Sequence, residues 1–179
     1  MKLFIGYATN EGQTRKIAQH VADRCFDKGH SVEIMALDSA GTLDLTRFDG
    51  VILGGSVHVG HYQSALSEFA ASHARALSSC PNLLLSISLA AAGHDAEDWR
   101  GLETILADFQ HATGWTPDHV AQVAGAYMPQ SYDIFRRFVM RRIIAAKDPD
   151  ADLDCPSEYT DWVALNAVVD GWLEHADRS

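Results

Sequence analysis

The feature that most constrains this chain is an alternation: short apolar runs of β character recur along it, separated by longer stretches with the spacing of amphipathic helices. Parallel strands cannot be joined by tight hairpins, so each needs a crossover, and helical crossovers bury both faces of the sheet. Five strands are read, at Lys2 to Tyr7, Ser31 to Met35, Val51 to Gly55, Leu83 to Leu89 and Val120 to Ala126. Between the first two, Ile17, Ala18, Val21, Ala22 and Cys25 recur at i, i+1, i+4, i+5 and i+8, one face of a helix running from about Arg15 to Cys25 that Gly29 can end. Further helices are expected at Gln63 to Leu77, Asp98 to Thr113 and Thr160 to Ala176, while the crossover Asp38 to Asp49 is too short to assign. The expected fold is α/β, a doubly wound five-stranded parallel sheet. No repeat or low-complexity linker divides the chain, so residues 1–179 are read as one domain.

Composition narrows the function. With 47% hydrophobic residues the chain has material for a proper core, and its net charge of -10 argues against nucleic acid as a partner. No apolar run reaches the roughly 18 residues of a membrane span. The N-terminal run lacks the features of a signal peptide, which predicts a cytoplasmic protein. Cys25, Cys80 and Cys155 lie far apart with no CxxC spacing, so neither a zinc site nor a redox disulfide is expected.

In a doubly wound sheet, ligands bind outside the carboxyl ends of the strands, where the winding reverses. That rule selects three loops. The first, Thr9-Asn10-Glu11-Gly12-Gln13-Thr14, joins a strand to a helix, so the helix's first N–H groups point at one spot where an anion fits. Thr9 and Thr14 bring hydroxyls, and Gly12 leaves the backbone open to close approach. With no lysine in a Gly-Lys-Ser/Thr arrangement and no GxGxxG, the loop suits a mononucleotide phosphate rather than ATP or a dinucleotide. A helix capped by a hydroxyl, without ligand, would show the same local pattern.

The second loop carries Ser56, Val57, His58, Gly60 and Tyr62, glycine-rich with flat rings against which a planar ligand could lie. His58 and His61 have i, i+3 spacing, but the loop holds no carboxylate or cysteine to complete a metal site, so no metal is expected. Tyr62 and His61 could equally cap the following helix. The third loop, with Ser88, Leu89, Ala90, Ala91 and Gly93, is small and apolar, and its free N–H groups suit the edge of a heterocycle. A phosphate loop beside two loops fit for a flat ring system is the constellation of a flavin mononucleotide (FMN) site.

Thr9 to Thr14 resembles the flavodoxin phosphate loop T-x-T-G-x-T, and the strand count fits the flavodoxin fold, with order 2-1-3-4-5. Glu11 departs from the usual hydroxyl residue. Glu11-Gly12-Gln13-Thr14 is similar instead to the menaquinone-dependent protoporphyrinogen oxidases of the flavodoxin-like type. Gly60-His61-Tyr62 with Ser64-Ala65 and Glu68-Phe69, then Trp115-Thr116-Pro117-Asp118, Ala124-Gly125-Ala126 and Tyr159-Thr160-Asp161-Trp162 resemble that family in order and spacing. The resemblance implies FMN-dependent oxidation of protoporphyrinogen IX to protoporphyrin IX in haem synthesis, with electrons passed to a quinone. It implies no particular catalytic acid or base.

An insertion at about 127–158, between the last strand and the last helix, separates such an enzyme from a carrier. It carries Arg136, Arg137, Arg141 and Arg142, expected on a helix from Ile134 to Ala146. Arginine forks pair with carboxylates such as the porphyrinogen propionates, and the same cluster would be drawn to anionic lipid, giving peripheral contact with the inner face of the membrane. Arginines solvated on a surface helix are the plain alternative. Three other functions share the loops: a soluble flavodoxin-type electron carrier, which the acidity favours; an FMN-dependent quinone reductase; and a flavin-free regulatory module.

Overall fold

The computed structural model describes residues 1–41, 43–93, 95–128, 144–145, 149–150, 152 and 154–178. Five parallel strands make the sheet: β1 (Lys2–Ala8), β2 (Ser31–Ala36), β3 (Gly50–His58), β5 (Asn82–Ser88) and β6 (His119–Ala124), in the order β2-β1-β3-β5-β6. Counting only these, the order is the 2-1-3-4-5 read from the sequence. A two-residue strand, β4 (His61–Tyr62), folds back antiparallel on the end of β3.

Side chains along a strand alternate between faces, and the core divides accordingly. Leu3, Ile5, Ile52, Leu83, Leu85 and Ile87 pack on one side with Ile17, Val21 and Cys25 of α1 (Gln13–Asp27) and Leu165, Val169 and Trp172 of α4 (Trp162–Ala176). Phe4, Val51, Leu53 and Leu84 pack on the other with Leu66, Phe69 and Leu77 of α2 (Ser64–Leu77) and Phe109 of α3 (Ala96–Thr113). The central strands β1, β3 and β5, buried on both faces, read as near-unbroken apolar runs in the sequence, while the edge strands β2 and β6 are partly exposed.

One element left unassigned takes shape, and one ends earlier than expected. The crossover after β2 is made by two 3-10 turns, Leu37–Ser39 and Leu45–Arg47, whose Leu37 and Leu45 are buried. The last sheet strand ends at Ala124, with the Gly125 N–H making the final rung to the Ser88 carbonyl before the chain leaves for a second pairing. Ala126–Tyr127 (β7) then pairs antiparallel with Ser157–Glu158 (β8), so the two ends of the insertion meet at its base. Arg136, Arg137, Arg141 and Arg142, and nearly all of the helix read for Ile134 to Ala146, lie outside the described residues.

α1 and α4 run side by side in the same direction. At every fourth residue along α1 and its C-cap a polar side chain reaches across: Lys16 to Glu158 of β8, just ahead of α4, His20 to Asn166 of α4 (2.8 Å), and Arg24 and the capping Lys28 both to Asp170 of α4. Arg24 grips Asp170 with two parallel bonds, Nε to Oδ1 at 2.9 Å and Nη2 to Oδ2 at 2.5 Å.

Candidate functional site

Parallel register brings the three loops to one edge. Ala8 lies beside Gly55, Ser56 beside Ile87, and Ser88 beside Ala124, so the carboxyl ends of β1, β3, β5 and β6 lie along one edge of the sheet, with β3, β5 and β6 reaching past the end of β1. The residues that follow each strand therefore face a common space.

The first loop is built to leave donors open. Gly12 stands at the N-cap of α1 with φ 91, a left-handed conformation that favours glycine, and no side chain caps the helix. The hydroxyl-capped alternative is not what is found: Thr9 Oγ1 instead accepts from the Gly12 N–H at 2.9 Å, tightening the loop ahead of the helix. A Cβ built on Gly12 meets nothing within 4 Å. Gln13 and Thr14 are buried, and the first turn carries no acidic residue. Thr14 Oγ1 is buried without a hydrogen-bond partner, while the Thr14 methyl lies over Gly54 of β3. A buried hydroxyl left unsatisfied beside open helix N–H groups fits a phosphate monoester, which would supply the missing acceptor. Asn10 is exposed and Glu11 half-buried. On the α2 side of the loop, a cleft of about 140 Å³ is lined by residues including Tyr7, Asn10, Asp38 and Ser64.

The second loop is a hairpin. His58 pairs with His61 across a tip formed by Val59 and Gly60, with φ 49 and 80. Positive φ at both central residues is the requirement of a tight hairpin turn, and Val59 meets it despite its branched Cβ, with its side chain 90% exposed. Ser56 Oγ accepts from Gln63 Nε2 at 2.9 Å and lies 3.1 Å from His58 Nε2, so one hydroxyl ties the loop's entry to the start of α2. Val57 is half-buried and His61 exposed.

Tyr62 is a correction. Its ring was read as one against which a planar ligand could lie, but it is buried, edge-on to Phe109 at a centroid distance of 4.8 Å, with its hydroxyl bonded to Ser86 at 2.8 Å. Burial pushes the Tyr62 hydroxyl above its ordinary value, partly offset by the bond to Ser86. Strand alternation places it there: pairing with Val57 turns residue 62 toward the α3 side.

The third loop makes a 3-10 turn, Ala90–Ala92, started by Ser88, whose hydroxyl accepts from the Ala91 N–H at 3.1 Å. Leu89, Ala90, Ala91 and Gly93 are half-buried, and the Gly93 carbonyl is held by the Trp99 indole at 2.9 Å. Ile144 of the insertion is buried with Tyr127, against Leu89 and Tyr159. Among the described residues, no group of three or more His, Cys, Asp or Glu is placed to hold a metal. Cys25, Cys80 and Cys155 are free thiols, and burial pushes Cys25 up to about 12. Among the described residues no helix is long and apolar enough to cross a membrane.

What sequence reading missed is the contact between the two ends of the chain. Tyr159-Thr160-Asp161-Trp162 had been quoted only as a family string; in the structure it meets the phosphate loop. Gln13 Nε2 donates to Thr160 Oγ1 at 2.9 Å and to Glu158 Oε2 at 3.2 Å. No local pattern announces a contact of this kind, because neither partner's periodicity depends on it.

A flavodoxin-domain family model matches residues 4–154. The chain is 30% identical over 162 residues to protoporphyrinogen IX dehydrogenase (quinone) of Escherichia coli K12, covering 90% of this chain and 89% of that one. It is 25% identical over 165 residues to the protein of that name from Leishmania major, covering 92% of this chain and 71% of the other. Among solved structures, a short-chain flavodoxin associated with a bacterial microcompartment superposes with TM-score 0.57 at 15% identity, over 98% of this chain and 99% of the other. A flavodoxin from the domain Archaea gives TM-score 0.52 at 13% identity, over 99% of each chain.

Proposed function

Because the chain belongs to the flavodoxin-domain family of protoporphyrinogen IX dehydrogenases (quinone), we propose that it oxidises protoporphyrinogen IX to protoporphyrin IX in haem synthesis, using FMN and passing electrons to a quinone such as menaquinone. The observation that carries this reading is a match to the enzyme over about nine-tenths of both chains, beyond what a shared flavodoxin sheet requires.

FMN, when bound, supplies the electron acceptor for the substrate's carbon framework. The chain's residues hold and orient. The open N–H groups at the start of α1 and the unpartnered Thr14 hydroxyl take the phosphate. Ser56, Val57, His58 and Gly60 on one side and Ser88, Leu89, Ala90, Ala91 and Gly93 on the other flank the ring system, with Ser56 locked by Gln63. Arg136, Arg137, Arg141 and Arg142 are assigned to the substrate's propionates, with anionic lipid as the competing role.

The second reading is a flavodoxin-type carrier, and the net charge of -10 is what favours it, since acidic surfaces steer basic partners. One assay separates the two. FMN-loaded protein is incubated without oxygen with protoporphyrinogen IX and a menaquinone analogue, and porphyrin fluorescence is followed. Porphyrin formed in proportion to protein supports the enzyme; none above the protein-free rate leaves the carrier.

A further inference from the structure

The first turn of α1 presents the anion site, and the local bond from the Gly12 N–H to Thr9 Oγ1 holds the loop ahead of the helix but not the side chain of Gln13. The helix's N-cap is a glycine and no side chain caps it. The support comes from the segment that returns after the insertion. Gln13 spends both amide hydrogens on that segment, one on the Thr160 hydroxyl and one on the Glu158 carboxylate. Thr160 in turn donates to the Ala124 carbonyl at 2.7 Å, and the Tyr159 N–H donates to the Gly125 carbonyl at 3.0 Å, so the returning segment is itself fixed to the end of β6. The other oxygen of Glu158 accepts from the Trp162 indole at 2.8 Å. Burial opposes the charge on Glu158, but the bonds from Lys16, Trp162 and Gln13 outweigh it and hold the carboxyl below the usual glutamate range.

The same carboxylate engages Lys16, one turn into α1. That cation is thereby committed away from the helix's open end. The phosphate is left to backbone N–H groups and to Thr14, whose direction depends on how the first turn is held.

We propose that Thr160 and Glu158 are positioning residues for the FMN phosphate, acting through the side chain of Gln13. The inference rests on FMN being the ligand of this loop and adds to it the part of the chain that sets the cradle's geometry. Neither residue touches the ligand.

The test uses full-length protein stripped of flavin and titrated with FMN and, separately, with riboflavin, which lacks the phosphate. Flavin fluorescence reports binding. Gln13→Glu keeps the shape of the side chain but cannot donate, and sets a second carboxylate beside Glu158. It is expected to raise the FMN dissociation constant about 10-fold or more while moving that of riboflavin by less than about 2-fold. Adding Glu158→Gln reverses donor and acceptor and restores the net charge, so the double variant should recover most of the loss. Thr160→Val removes only the bridging hydroxyl, and the same phosphate-selective weakening is expected should Gln13→Glu not fold by circular dichroism.

Parallel loss of FMN and riboflavin in these variants, or a double variant no better than Gln13→Glu, would overturn the positioning role alone. A wild-type protein that binds FMN no more tightly than riboflavin would overturn the phosphate site, and this role with it.

Discussion

Gln13 and Glu158 stand 145 residues apart in sequence and meet at 3.2 Å, amide to carboxylate, behind the loop that opens the first helix. The contact joins the segment leaving the insertion to the loop proposed for the cofactor's phosphate. A residue that looked like part of a ligand loop thus turns its side chain inward, and its backbone alone is left for the ligand.

Thr14→Val should separate binding from stability. The hydroxyl is buried with no protein partner, so removing it relieves an unsatisfied group and the thermal midpoint should hold or rise slightly. FMN affinity should fall by about 10-fold, since the phosphate loses a donor. Flavin titration beside a melting curve checks both, and a variant that loses stability but keeps FMN would refute the assignment of this hydroxyl to the ligand.

Tyr62→Phe should do the reverse. It leaves the fully buried Ser86 hydroxyl without its 2.8 Å partner, for a loss of about 1–3 kcal/mol in chemical denaturation, with FMN binding retained because the ring faces the core.

Gly55→Ala should destabilise by about 1–3 kcal/mol. A Cβ there would sit 2.4 Å from Cδ2 and 3.4 Å from Cγ of Leu66, which is fully buried, so the Leu66 side chain must leave its place in the packed core. Denaturant midpoints of variant and wild type give the comparison.

Asp170 links stability to acid. The hydrogen bond from Arg24 lowers its carboxyl, desolvation opposes, and Lys28 adds to the lowering, leaving it below its ordinary 3.8. Because the unfolded chain binds the proton more readily, the contribution is complete above pH 3.8 and vanishes as pH falls through the lower folded value. Asp170→Asn should be less stable than wild type at neutral pH, with the gap closing below pH 3.8. A gap that stays constant across a pH series of denaturation curves would contradict this.

Neutralising Arg136, Arg137, Arg141 and Arg142 together should weaken porphyrinogen turnover or binding to anionic liposomes while leaving FMN bound. Turnover and liposome binding both unchanged would remove the cluster from the proposed function.

The sheet and its winding were legible because burial on both faces writes itself as apolar runs, and Ile17, Val21 and Cys25 mark the inner side of α1 wherever the rest of the chain goes. The three loops were legible through the rule that places ligands at strand ends. Tyr62 was not, since its side of the strand depends on a hairpin register that Val59 enters against its own preference. Nor was the end of the last sheet strand: nothing in Ala124-Gly125-Ala126 announces that Ala126 exchanges the sheet for an antiparallel pairing with Glu158. The clamp on Gln13 is a purely tertiary fact, written in two places that no periodicity connects.

The ladder from Lys16 to Lys28 against α4 also fixes an order of events. During synthesis the loop carrying Gln13 emerges 147 residues ahead of Thr160, and the helix that covers Ile17 and Val21 follows later still. A growing chain therefore carries the loop without the partners of Gln13 until the segment after the insertion has emerged, and a flavin held by that loop would meet the finished arrangement only once that segment has docked.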